Sequence, residues 1–133
     1  LQASLNPNAS HTRQLAVTSD RYSHYREALA RQQLAIVPVE GDGNCLFRSV
    51  SHQVYGTDAY HSLVREKVMA YMEVERQYFE PYVEGDMADF LRYLEVKRRD
   101  GVWGDDPEVQ AICELYDRPA VIWVYDAAQG AKK

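Results

Sequence analysis

Between the apolar run Leu34-Ala-Ile-Val-Pro-Val39 and a helical period that begins at Cys45, the chain turns through Glu40-Gly-Asp-Gly-Asn44. The run suits a short buried strand ending near Pro38, which has no backbone donor. Leu46, Phe47, Val50 and Val54 then follow the 3.6-residue period up to Gly56. A cysteine opening a helix lies among N–H groups that have no intrahelical partner, at the positive end of the dipole. Both features favour a thiolate there. The glycines let the backbone fold back, so that amides can converge on an oxyanion forming beside the sulfur. Strand, glycine-rich turn and cysteine at a helix start are what nucleophilic cysteine catalysis requires. Taken alone, the same pattern also fits a cysteine that fills a core.

The rest of the chain reads as an α+β, helix-rich pattern. Residues 1–14 show no apolar period, and residues 1–18 are expected to form a flexible tail before a domain over 19–133. Ser19 or Asp20 caps a first helix running to about Gln33, with Tyr22, Tyr25 or Arg26, and Leu29 facing inward. A long helix from Ala59 to about Tyr78 turns Tyr60, Leu63, Val64, Val68, Tyr71 and Met72 to one side, and Pro81 breaks it. Asp86 caps a helix with Met87, Phe90, Leu91 and Leu94 inside and a solvated Lys97-Arg-Arg99 end. Asp105 or Asp106 before Pro107 starts another, burying Val109, Ile112, Cys113 and Tyr116. Ala120-Val-Ile-Trp-Val-Tyr125 is the strongest strand signal, expected beside 34–39 in one small sheet.

Composition narrows the function classes. With 133 residues the chain holds one core. Fifteen basic against twenty acidic residues give a net charge of −5, the wrong balance for a nucleic-acid binder. No apolar run approaches the roughly 20 residues of a membrane span. Two cysteines are too few for a disulfide framework or a four-thiolate zinc site, and no Cys or His pair has ligand spacing, so neither a cofactor nor a metal is expected. A reduced setting follows, the cytoplasm and also the nucleus.

Asp42-Gly-Asn-Cys-Leu-Phe-Arg48 resembles the catalytic-cysteine motif of the ovarian-tumour (OTU) family of cysteine deubiquitinases. Val54-Tyr-Gly56, the helix from His61 to Val68, Trp103-Gly-Asp and the stretch from Glu108 to Val121 are similar to later parts of the family's pattern, in its order and spacing. The resemblance covers roughly Leu34 to Tyr125. It implies a papain-like fold with a small central sheet flanked by helices, and a thiol isopeptidase whose partner is ubiquitin or polyubiquitin. In that reading Cys45 is the nucleophile, and Asp42 shapes an oxyanion loop that includes Gly43 and Asn44. Read without the family, Asp42 is a turn residue before glycine, Asn44 a helix cap and Cys113 a core residue. Trp103 is either a packing anchor or a wall of the substrate channel.

The general base is not among the recognised parts. Of His11, His24, His52 and His61, only His52 shares a helix with Cys45, and seven residues put it roughly 10 Å along the axis, too far for a hydrogen bond. In the OTU family the base is a histidine near the end of the domain, on a strand after the one matching 120–125, with Asn or Asp two positions later. The expectation is that these two roles fall beyond Lys133, and that the chain lacks the family's C-terminal strand, leaving a sheet edge exposed. The competing readings are a catalytically incomplete ubiquitin-binding or scaffold domain with the OTU fold, and a helical interaction module with an inert, buried Cys45.

Overall fold

The computed structural model describes Gln2–Ala3 and residues 15–133. The elements run β1 (Gln2–Ala3), α1 (Leu15–Arg31), α2 (Cys45–Tyr55), α3 (His61–Val74), α4 (Arg76–Phe79), α5 (Met87–Lys97), α6 (Asp106–Leu115), β2 (Val121–Ile122), β3 (Val124–Asp126) and β4 (Gly130–Lys132). Turns of 3₁₀ helix precede α3 and follow α4.

The main core lies between α2, α3, α5 and α6. Phe47 and Val50 meet Val64, Val68, Met69 and Met72, and Phe79, Phe90, Leu94, Ala111 and Ile112 close the cluster. Ten of its members other than Ala111 are side chains of valine size or larger, and burying each contributes about 1.5–3 kcal/mol. Gly56, in left-handed conformation at φ 77°, stops α2 where its period ends. Asp86 and Asp89 cap α5 reciprocally. A second, smaller cluster joins Tyr25, Ala28 and Leu29 of α1 to Ala131 of β4, with Leu34, Ile36 and Trp123 against it. Gly130 is required there, because a Cβ would stand 2.7 Å from the Ala28 Cβ.

Several expectations change. The first helix starts at Leu15, so the 18/19 boundary falls inside it, and Tyr25 rather than Arg26 is the buried member. The tail expected over 1–14 lies largely outside the described residues. Residues 34–39 form no strand, and the segment ends in a buried Val39. The run at 120–125 breaks at Trp123 into β2, parallel to β1, and β3, antiparallel to β4. The strand signal was therefore real at 120–125, but apolarity at 34–39 reflects packing against α1 and not a ladder. Helix faces also rotate: α3 buries Arg65 with Val64, Val68, Met69 and Met72, leaving Tyr60 and Leu63 exposed. On α6 the buried positions are Glu108, Ala111 and Ile112, while Cys113 is only half-buried.

Candidate active site

Cys45 is the first residue of α2, half-buried, with a free thiol. Its amide is one of the first-turn donors that the helix leaves without an internal acceptor. The turn before it is held from two directions.

Arg48, one turn into α2, clamps Asp42 through Nε and through an Nη2 contact of 2.7 Å, and it also faces Glu40 and Asp58 at 3.6 Å. Asp42 Oδ1 in turn accepts the Asn44 N–H at 3.1 Å, closing an Asx turn. The Arg48 hydrogen bonds hold the Asp42 carboxyl down at about 2, so this group is an ionised clamp at neutral pH and no reservoir for a proton. Its folded-state value lies below the ordinary 3.8, so the stability it contributes is present above about pH 4 and lost as pH falls toward 2. Accordingly, the difference in melting temperature between wild type and Asp42→Asn should be constant from pH 7 to 5 and shrink between pH 4 and 2. Thermal melts across that range measure it.

From the other direction comes Asn44, buried at the N-cap position. Its side chain does not cap α2, as its type led one to expect. Oδ1 instead accepts the Gly101 N–H and Arg65 Nη2, both at 2.8 Å, while Nδ2 donates to Asp100 at 3.2 Å and to Asp42 at 3.4 Å. Arg65 also donates to the Gly43 carbonyl at 3.4 Å and to that of Lys97 at 2.7 Å. Asn44 thus bolts the turn to the loop after α5. In this conformation its amide and its Nδ2 are engaged, which leaves the first-turn amides of α2, Cys45's included, to meet an oxyanion.

Gly43 sits at φ 61°, and a Cβ there would lie 1.8 Å from the Gly101 oxygen. The same loop is pressed on α2 at Gly104, whose Cβ would meet Leu46 at 2.4 Å. Lys97, expected at a solvated helix end, is buried and donates to the Trp103 carbonyl at 2.7 Å and to Asp105. That tie holds the backbone of Trp103 while its side chain stays 62% exposed, so Trp103 is not a packing anchor. Glu108, fully buried, accepts the Asp105 N–H at the start of α6, and desolvation raises its pKa. Arg65 and Asp100 carry no role in the sequence pattern, whereas Glu108 falls in the stretch that resembles the family. The signal for Arg65 was available, since it shares an apolar stripe with Val68, Met69 and Met72.

His24, His52 and His61 make other contacts. His24 Nδ1 is 3.4 Å from the Tyr125 hydroxyl, and His61 Nδ1 is buried without a hydrogen-bond partner. His52 lines an apolar groove with Tyr25, Ile36, Val39, Ser49 and Trp123. Residues 45, 49 and 52 share one stripe of α2, so the groove opens along the face that carries Cys45. Among the described residues no histidine is hydrogen-bonded to the Cys45 sulfur.

A free thiol at a helix start thus stands behind a rigid glycine turn. The sequence pattern of the family described as OTU-like cysteine protease matches residues 40–133, and the chain belongs to that family. It is 48% identical over 85 residues to the OVARIAN TUMOR DOMAIN-containing deubiquitinating enzyme 6 of Arabidopsis thaliana, covering 63% of this chain and 16% of that protein. It is 34% identical over 116 residues to OTU domain-containing protein 5 of Homo sapiens, covering 86% of this chain and 20% of the relative. The chain therefore spans about a fifth of the length of these relatives. Among solved structures, the OTUD1 OTU domain superposes with a TM-score of 0.72 at 28% identity, over 78% of this chain and 67% of the other. The helix-rich α+β fold is thus the OTU fold, with the described strands paired as two small two-stranded sheets and not as one.

Proposed function

We propose that the chain is a thiol isopeptidase domain acting on the bond at the C-terminus of ubiquitin, with Cys45 as nucleophile. The observation that carries the reading is the placement of Cys45 at the start of α2 behind a turn pinned by Arg48–Asp42 and by Asn44–Gly101. In the reaction, Cys45 Sγ adds to the isopeptide carbonyl carbon and the carbonyl pair moves to oxygen, facing the first-turn amides. As the C–N bond breaks, the thiol's proton passes to the departing lysine amine and leaves a thioester. Water then returns the thiol and a ubiquitin carboxylate. Asp42, Gly43 and Asn44 hold the loop in shape. A reducing compartment, cytoplasmic or nuclear, belongs to the same proposal, because the thiol must stay free.

The proton carrier is the weak part of the described site. General acid–base assistance is worth about 10²–10⁴-fold, so the chain is expected to be captured slowly by ubiquitin bearing a C-terminal α,β-unsaturated methyl ester (ubiquitin vinyl ester below) while turning over diubiquitin poorly. In the capture the S–C bond forms at the β-carbon and the thiol proton ends on the α-carbon. Cys45→Ala should abolish the adduct. Robust cleavage of diubiquitin by the 133 residues would refute the expected slowness. The absence of any adduct from folded protein would refute the isopeptidase and favour the ubiquitin-binding or scaffold reading.

A further inference from the structure

Arg65 is 4% exposed, and no carboxylate pairs with it directly among the described residues; Asp100, Glu108 and Asp42 act on it at longer range. Its guanidinium lies over the Phe47 ring at 4.2 Å. The groups it bonds are the Lys97 carbonyl at the end of α5, the Gly43 carbonyl and the Asn44 Oδ1. A buried cation without a paired anion is a costly way to fill space, and a methionine of similar length would pack on Phe47 without a charge. What methionine would not do is reach two neutral oxygens on the two residues that precede Cys45. Lysine, with a single nitrogen, would not span them together with Lys97.

We propose that Arg65 is a positioning residue for the oxyanion loop. By drawing the Gly43 carbonyl into the interior, it fixes the Gly43–Asn44 peptide plane, so that an acyl oxygen arriving at Cys45 meets amide donors and not a carbonyl. Phe47 orients the guanidinium, and the α5 end anchors it. The residue acts through the turn and touches neither substrate nor sulfur. The inference rests on the isopeptidase reading given above.

The test compares wild type, Arg65→Met and Arg65→Lys by three readouts: affinity for ubiquitin aldehyde, affinity for unmodified ubiquitin, and the rate of Cys45 alkylation by iodoacetamide. With the aldehyde, sulfur bonds to the carbonyl carbon and the oxygen takes the thiol proton, so nothing leaves and the oxyanion environment is read directly. Since misplacement by about 1 Å can cost on the order of 10²-fold, Arg65→Met should bind the aldehyde at least about 10-fold more weakly, and Arg65→Lys about 3–10-fold. Unmodified ubiquitin and iodoacetamide should each stay within about 3-fold of wild type. Aldehyde affinity unchanged in both variants, or lost in step with alkylation and ubiquitin binding, would overturn the proposal. Should Arg65→Met not fold, Arg65→Lys decides alone. If wild type itself gains nothing from the aldehyde over unmodified ubiquitin, the isopeptidase reading fails and the role of Arg65 fails with it; a gain confined to wild type separates the two.

Discussion

Gly43→Ala is expected to remove capture by the ubiquitin vinyl ester almost entirely while leaving the main core folded. Two costs act together. An alanine at φ 61° occupies the left-handed region, disfavoured by roughly 1–2 kcal/mol. More important, its Cβ would stand 1.8 Å from the Gly101 oxygen, a separation no pair of atoms sustains. Either the turn or the Gly101–Gly104 loop must move, and each carries one side of the site. Asn44 then loses its hold on Gly101, and the first turn of α2 is no longer framed. The atoms nearest the added Cβ all belong to Gly101 and none to the core cluster of Phe47, Phe90 and Ile112, so a melting temperature lowered by about 10 °C, corresponding to about 3 kcal/mol, should accompany the loss. Capture rates falling more than about 100-fold would match misplacement of the reacting atoms. Capture within a few-fold of wild type would show that the turn tolerates displacement.

Asn44→Ala should be the most destabilising polar substitution at the site. It deletes the acceptor shared by Gly101 N–H and Arg65, and the donor to Asp100 and Asp42. Leaving a buried donor unpaired costs about 1–3 kcal/mol, more for a charged one. Arg65 keeps Lys97 and Gly43, so about 3–4 kcal/mol in total is expected, read by urea unfolding. Asn44→Asp separates fold from charge: it retains an acceptor for both partners but sets a carboxylate beside Asp42 and Asp100. It should recover less than half of the loss. Full recovery would mean that Nδ2 contributes nothing.

Much of this site could be read in the residue string because its logic is local. A glycine turn followed by a helical period at Cys45 is written within a dozen residues, and α2 begins and ends where the period says. Asp86 and Asp105 announced their helices for the same reason. What escaped depends on contacts far apart in sequence. Arg65 lies 20 residues beyond Cys45 and Asp100 a further 35 (65 − 45 and 100 − 65), and only the packing of α3 on α2 and of α5 on α3 brings them to Asn44. Rules that send charges to the surface hid Arg65, Lys97 and Glu108, all buried through bonds to backbone groups. The runs at 34–39 and 120–125 read alike as neighbours in one sheet, yet only 120–125 pairs, as two short strands with other partners. Apolar runs of that length report burial, and the partner that makes a strand is not encoded within them.

The two cysteines offer the most direct test of the central claim. Cys45 opens a helix behind a pinned turn, whereas Cys113 sits half-buried within α6, and both thiols are free. Wild-type chain incubated with ubiquitin vinyl ester, digested and mapped by mass spectrometry, should carry the ubiquitin remnant on Cys45, with Cys113 unmodified. Label on Cys113, or equal label on both, would contradict the assignment of Cys45 as the nucleophile.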